Sequence, residues 1–224
     1  MGGFRIFIAD DHEVVRKGLC ALLQAEAGWE ICGEASDGRE ATEKVRELKP
    51  DVIILDIGMP SLNGLEATRQ IIRDDPQAKV LILTLHDSDQ VVRDVLNAGA
   101  RGFLLKSDAA RDLVVAVEAL RRDKTYFTSK VAAMVLEGYL KGGTPAAAVS
   151  LGRDRLTPRE REVAQLLAEG KSTKEVAVAL GLSVKTAETH RSNIMRKLQL
   201  HSVSDLVLYA VRNNIVHVVQ PAIE

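Results

Sequence analysis

The chain has 224 residues, 46% of them hydrophobic and 27% charged, with a formal net charge of −1. That length allows one or two domains with real cores, and the composition excludes a low-complexity or disordered chain. No apolar run approaches the roughly 18 residues of a membrane span.

The charge is uneven: residues 151–224 carry 11 Lys+Arg against 8 Asp+Glu, residues 1–150 carry 19 against 23. Residues 171–200 hold six basic and two acidic side chains. That excess is compatible with a nucleic-acid partner, although so small an excess is also found on ordinary solvated faces. The N-terminus lacks the charged and apolar regions of a signal peptide, so a cytosolic protein is expected. Cys20 and Cys32 form no metal-type spacing and read as reduced thiols in or near the core.

Phe4-Arg5-Ile6-Phe7-Ile8-Ala9 is a short apolar run closed by Asp10-Asp11. Such a run reads as a buried strand, although periodicity alone leaves a buried helix open. Residues 12–26 then place Val15, Leu19, Leu22 and Leu23 on an apolar helical stripe. Trp29 to Glu34 reads as a strand, and Asp37 to Leu48 as a helix stopped by Pro50. Asp51-Val52-Ile53-Ile54-Leu55-Asp56 is the clearest strand. Ile57-Gly58-Met59-Pro60 cannot extend it, so Asp56 falls at its C-terminal edge. Asn63-Gly64-Leu65-Glu66 caps a helix running to about Asp74. Val80 to Leu83 ends in Thr84, Ser88 to Ala98 is a helix stopped by Gly99, and Gly102 to Leu105 ends in Lys106. Residues 108–122 form the last helix of this half, with Leu113, Val117 and Leu120 inward.

Five strands alternating with five helices imply a doubly wound parallel sheet, whose C-terminal strand edge is where ligands collect. That edge receives Asp10, Asp11 and Asp56, which repel one another and call for a hard cation such as Mg²⁺. Thr84 and Lys106 offer a hydroxyl and an ammonium for phosphoryl oxygens. Any one of these residues alone is ordinary; five at successive strand ends make a site for phosphoryl transfer onto Asp56.

Residues 4–122 resemble a response-regulator receiver domain through Asp10-Asp11, Asp56 with Met59-Pro60, Thr84 and Lys106. The resemblance implies a flavodoxin-like five-stranded α/β fold with strand order 2-1-3-4-5. It implies that Asp56 accepts phosphate from a sensor histidine kinase. Asp11, Asp56 and the Gly58 carbonyl would coordinate Mg²⁺, with Asp10 assisting through water. Thr84 and Phe103 would couple phosphorylation to the output face.

A further helix is expected at 128–140, then a Gly, Pro and Ala-rich linker at about 141–154. The division is therefore a receiver at 1–122, a helical and flexible linker at 123–154, and a second domain at 155–224. Thr157-Pro158-Arg159-Glu160 and Ser172-Thr173-Lys174-Glu175 are capping boxes, Ser183 caps a third helix, and Ser202-Val203-Ser204-Asp205 has the pattern of a fourth cap. Four helices follow, at about 158–169, 173–180, 184–198 and 203–213, giving a small all-α domain. Only Gly181-Leu182-Ser183 separates the second from the third, the mark of a helix-turn-helix. On the third helix Val184, Ala187, Ile194 and Leu198 should face the core, with Arg191 also toward that side. Lys185, Thr189, Ser192 and Arg196 lie opposite, with Thr186 and Asn193 beside them and Glu188 at the flank.

Residues 156–202 resemble the LuxR-type domain of the NarL/FixJ response regulators. The likeness is carried by Leu156 to Val163, Ala168 to Ser172, Ser183 to Arg191 and Asn193 to Leu198. It implies that Lys185, Glu188, Thr189 and Ser192 read bases, while Thr186, His190, Asn193 and Lys197 contact the backbone of double-stranded DNA. The last helix, through Val203, Leu206, Val207 and Ala210, matches the family's dimer-forming helix, and packing within the domain is an equal alternative. The implied protein is a transcriptional regulator switched by phosphorylation and active as a homodimer, not an enzyme, though it could promote its own phosphotransfer and dephosphorylation. An aspartyl-phosphate hydrolase would carry an Asp two residues after its nucleophile, where this chain has Gly58; neither GxxxxGK[ST] nor HExxH occurs. A DNA binder indifferent to phosphorylation is argued against by the intact acidic site.

Overall fold

The computed structural model describes residues 3–85, 88–128, 131, 156–213 and 215–216, which form two compact units. The helix expected at 128–140 falls almost wholly outside the described residues, and the linker at 141–154 wholly so.

The first unit alternates β1 (Phe4–Ala9), α1 (Glu13–Gln24), β2 (Trp29–Ala35), α2 (Gly38–Leu48), β3 (Val52–Asp56), α3 (Gly64–Asp74), β4 (Val80–Thr84), α4 (Asp89–Ala98), β5 (Gly102–Leu105) and α5 (Ala109–Arg121). The sheet is parallel, in the order β2-β1-β3-β4-β5. Every residue of β3 and β4 is buried, which explains why their sequences are unbroken apolar runs rather than alternating ones. One sheet face presents Ile6, Ile8, Val52, Ile54, Leu81, Leu83 and Leu104 to α1 and α5. Alternation puts Phe7, Ile53, Leu55, Ile82 and Phe103 on the other face. All five of those residues are buried.

The helix starts follow the capping residues. Asp37 accepts from the amides of Arg39 and Glu40, Asn63 from Glu66 and Ser88 from Val91. Gly99, at φ 87°, closes α4 in the left-handed region. On α1 the inward stripe is Leu19, Cys20 and Leu23, with Val15 packed against it. Leu22, expected inward, is 38% exposed. It lies one residue off the buried line, about 100° round the helix from Leu23, and Cys20 fills the core position instead. Cys20 is a buried free thiol and Cys32 a half-buried one.

The second unit holds α6 (Pro158–Ala168), α7 (Thr173–Ala179), α8 (Val184–Leu198) and α9 (Val203–Arg212). Capping boxes open α6, α7 and α9, and Ser183 caps α8 through the Thr186 amide. Gly170 and Gly181, at φ 88° and 62°, let the chain turn after α6 and α7 where a side chain would be strained. The core gathers Val163, Leu166 and Leu167 of α6, Val176 and Ala177 of α7, Ala187, Ile194 and Leu198 of α8, and Leu206 of α9. Among the described residues, no helix is long and apolar enough to cross a membrane.

Candidate phosphoacceptor site and nucleic-acid interface

β1 and β3 end as neighbours and β5 ends beyond β4 on the same edge of the sheet, which brings residues 10, 56 and 106 together. Asp10 is 0% exposed and Asp56 5% exposed. The Lys106 ammonium lies between them, 2.8 Å from Asp10 Oδ2 and 2.9 Å from Asp56 Oδ2. Burial pushes the Asp56 carboxyl above its ordinary range; the Lys106 charge opposes this, and the neighbouring Asp10 charge reinforces it. Burial alone would lower the Lys106 ammonium, but Asp56 and Asp10 outweigh it and hold its pKa above the usual value. One cation faces two buried carboxylates with Asp11 beside them, so the cluster is short of positive charge.

That shortage is what a cation would meet. Asp10, Asp11, His12 and Asp56 each offer a ligand atom, all within 4.8 Å of one another. Asp10 Oδ2 and Asp11 Oδ1 are buried atoms that accept no hydrogen bond. The Lys106 ammonium lies 2.8 Å from the first, and His12 Nδ1 lies 2.7 Å from the second. Buried hard oxygens gathered this closely and short of donors fit Mg²⁺. Thr84 ends β4, buried, with its backbone opposite Leu105 of β5. Phe103 is buried in mid β5. The Gly58 backbone hydrogen-bonds to the Asp56 carboxylate and so opposes the rise in its pKa.

Two supports were not visible in the sequence. Gly64 sits so close to the phosphoacceptor strand that an added Cβ would lie 2.0 Å from the Asp56 carbonyl oxygen. Any side chain there would push α3 off the strand end that aims Asp56. Arg16 donates through Nη1 to the Asp10 carbonyl at 2.6 Å and through Nε to Glu34 at 3.1 Å, pinning the turn that carries the two aspartates. An Arg on a helix is commonplace, so only its tertiary partners give it meaning.

On α8, Ala187, Ile194 and Leu198 are buried as expected. Val184 is not: it is 40% exposed, because the first residue of α8 lies past the end of the packed core. Arg191, expected toward the core, is exposed and reaches Thr173 of α7 at 3.4 Å. Lys185, Thr186, Glu188, Thr189, Ser192 and Arg196 are exposed, and His190 and Asn193 half-buried. The Thr186 hydroxyl pairs with that of Ser183 at 2.8 Å, and the Thr189 hydroxyl donates to the Lys185 carbonyl at 2.9 Å. Asn193 accepts from Arg196 at 2.9 Å. Lys197 does not share the open face: its ammonium is 2.7 Å from Glu160 Oε2 of α6. On α9, Leu206 and Ala210 are buried within the unit, Val203 is 42% exposed and Val207 half-buried.

A buried carboxylate pair held by a lysine at a parallel sheet edge, joined in one chain to a helix-turn-helix, defines a receiver coupled to a DNA-binding module. The comparisons agree with this. Residues 6–118 match the response regulator receiver domain, and residues 154–210 match the bacterial regulatory proteins of the luxR family. The transcriptional regulatory protein LiaR of Bacillus subtilis is 40% identical over 95% of this chain and 99% of its own length. The oxygen regulatory protein NreC of Staphylococcus carnosus is 38% identical over 94% and 98%. Among solved structures, the RcsB response regulator of Salmonella typhimurium superposes with a TM-score of 0.62 at 27% identity, covering 95% of this chain and 99% of that one. The chain belongs to the two-component response regulators that join a receiver domain to a LuxR-type DNA-binding domain, the NarL/FixJ type.

Proposed function

We propose that Asp56 takes a phosphoryl group from a phosphohistidine of a sensor histidine kinase, and that the phosphorylated form binds paired DNA half-sites as a homodimer. The observation that carries this is the clustering of Asp10, Asp56 and Lys106 at the sheet edge, a buried site short of positive charge. An Asp56 carboxylate oxygen forms the new bond to phosphorus as the phosphorus–nitrogen bond breaks. The released electron pair stays on the kinase imidazole, which takes up a proton. Lys106 already bridges Asp10 and Asp56, and is positioned to follow the added charge onto a phosphoryl oxygen. Thr84, one strand over, offers its hydroxyl to another, and Phe103 lies on the strand that leads into Lys106.

Asp11, Asp56 and the Gly58 carbonyl would hold Mg²⁺, with Asp10 acting through water. When bound, the ion neutralises charge shared by the carboxylates and the transferring group. On α8 the open face offers Lys185, Glu188, Thr189 and Ser192 to base edges, and Thr186, His190 and Asn193 to phosphates. One solved RcsB structure contains two dimers bound to two parallel DNAs. A comparable dimer here would set two α8 helices in successive major grooves, about 34 Å apart. A kinase phosphohistidine and chromosomal DNA as partners place the protein in the cytoplasm.

The test compares DNA binding by the full chain with and without a small phosphodonor and Mg²⁺, for wild type and Asp56→Asn. Enhancement confined to wild type is expected; equal enhancement in the Asn variant would refute the phosphoacceptor assignment.

A further inference from the structure

The stretch Thr157-Pro158-Arg159-Glu160 opens α6, away from the open face of α8, and the proposed function gives it no task. Its side chains nonetheless reach both halves of the helix-turn-helix. Arg159 Nη2 donates to the Leu180 carbonyl at 2.6 Å, where α7 ends and the turn begins. Its Nη1 meets Glu162 at 2.7 Å. Glu160 is 4% exposed. Its Oε2 accepts two donors at once, the Thr157 amide at 2.7 Å and the Lys197 ammonium at 2.7 Å. Two adjacent residues thus grip the turn and the far end of the reading helix.

We propose that this first turn of α6 is the positioning element of the reading helix, and that Lys197 serves it as a strut held by Glu160 rather than as a contact to DNA phosphate. The proposal rests on the reading of α8 as the DNA-contacting helix.

The physical case is one of competing partners. Glu160 is almost fully buried and needs a cation; without Lys197 it keeps only the hydrogen bonds of its cap. Burial would raise its pKa, yet Lys197 and the Thr157 bonds hold it below the ordinary range. A phosphate on the DNA surface is hydrated and already carries condensed counterions, so moving Lys197 to it exchanges a desolvated partner for a screened one. Lys185 and Arg196, exposed like Lys197 but with no buried carboxylate against them among the described residues, face no such conflict and remain available to DNA. The grip also spans the helix usefully: Leu180 precedes α8 and Lys197 is its penultimate residue, so loosening either tilts the whole open face.

The experiment uses the full phosphorylated chain and a duplex enriched from a random library by the wild-type protein. Affinity is measured as a function of salt for wild type, Lys197→Met, Lys197→Arg, Glu160→Gln, the Glu160→Gln/Lys197→Met pair and Lys185→Ala. A strut predicts that Lys197→Met weakens binding by about tenfold on every duplex, with an unchanged salt slope. Lys185→Ala should lower the slope by about one per protomer. Glu160→Gln keeps an oxygen for the cap but loses the charge; it should also weaken binding, and the double variant should be no worse than Lys197→Met. Lys197→Arg, which keeps the pair, should retain affinity. If Lys197 contacted phosphate, Lys197→Met would lower the slope by about one per protomer, and Glu160→Gln would free the ammonium and tighten binding. Either result overturns the proposal, as does unchanged affinity in Lys197→Met. Thermal melts establish that each variant is folded at the assay temperature, and Glu160→Gln with Lys197→Arg decides if Lys197→Met is not. Failure of the wild type to enrich any duplex would show before a variant is compared; it would sink the DNA reading and the strut with it.

Discussion

The two functional regions handle charge in opposite ways. At the sheet edge, Asp10, Asp56 and Lys106 are nearly withdrawn from water, and their charges act on one another directly. On α8 the corresponding side chains stand in solvent, and their charges are screened until a partner excludes the water. The first arrangement stores an imbalance that phosphate and a cation can relieve, as a two-state switch requires. The second stores little and depends on orientation, so it needs rigid backing from behind. At the Glu160–Lys197 pair an α8 cation reaches a buried carboxylate of α6.

The largest effects should come from the buried region. Asp56→Asn removes the nucleophilic oxygen and should abolish acyl-phosphate labelling in the presence of Mg²⁺; residual labelling mapped to another residue would move the phosphoacceptor elsewhere. Next comes Lys106→Ala. It strips the ammonium that bridges Asp10 and Asp56 from a site where the lysine side chain is 8% exposed. Removing one partner of a buried ionic cluster costs about 3 kcal/mol. Urea denaturation should show that loss, and saturating Mg²⁺ should restore part of it. An unchanged midpoint would mean the cluster is better hydrated than its burial indicates.

These contrasts also explain what the sequence disclosed. Strand ends were legible because a buried parallel strand is an apolar run, and the first charge after it marks the edge: Asp10, Asp56 and Lys106 each stand there. The sheet order followed from the receiver resemblance, not from the residues. Helix starts were legible because caps are local, as Asn63 with Glu66 and Thr157 with Glu160 illustrate. What stayed hidden depends on distance along the chain. Gly64 read as part of a cap, while its close approach to Asp56 is a tertiary fact. Lys197 read as a contact to the DNA backbone, and its pairing with Glu160, 37 residues away, left no local signal. Leu22 and Val184 were placed inward because periodicity marks an apolar side chain without showing where the packed core ends.

A smaller effect should come from the exposed region. Thr189 stands on the open face, its hydroxyl returned to the Lys185 carbonyl. Thr189→Ala should shift the preferred base at one position of a selected duplex, costing about 1–3 kcal/mol on the original site. The salt slope should not move, because no charge is removed. An unaltered selected sequence would take Thr189 out of the base-reading set.

The smallest effect tests the stored imbalance itself. Because burial raises the Asp56 pKa in the fold, the folded chain binds its proton more tightly than the unfolded chain does. The stability linked to this group is therefore fully present below the ordinary carboxylate range and is lost as pH rises through the raised value. Above the raised value the wild type carries that loss, while Asp56→Asn, which cannot ionise, does not. The Asn variant should melt a few degrees higher than wild type at pH 7 in EDTA. The difference should shrink as pH falls through the raised value, below which the wild-type carboxyl is neutral as well. Adding Mg²⁺ should narrow it from the other side, because an ion that binds only the folded chain stabilises it, and Asp56 is one of its proposed ligands. An Asn variant that melts below wild type, or a gap that widens on acidification, would mean that Lys106 more than compensates both carboxylates and that the site holds no imbalance for phosphorylation to relieve.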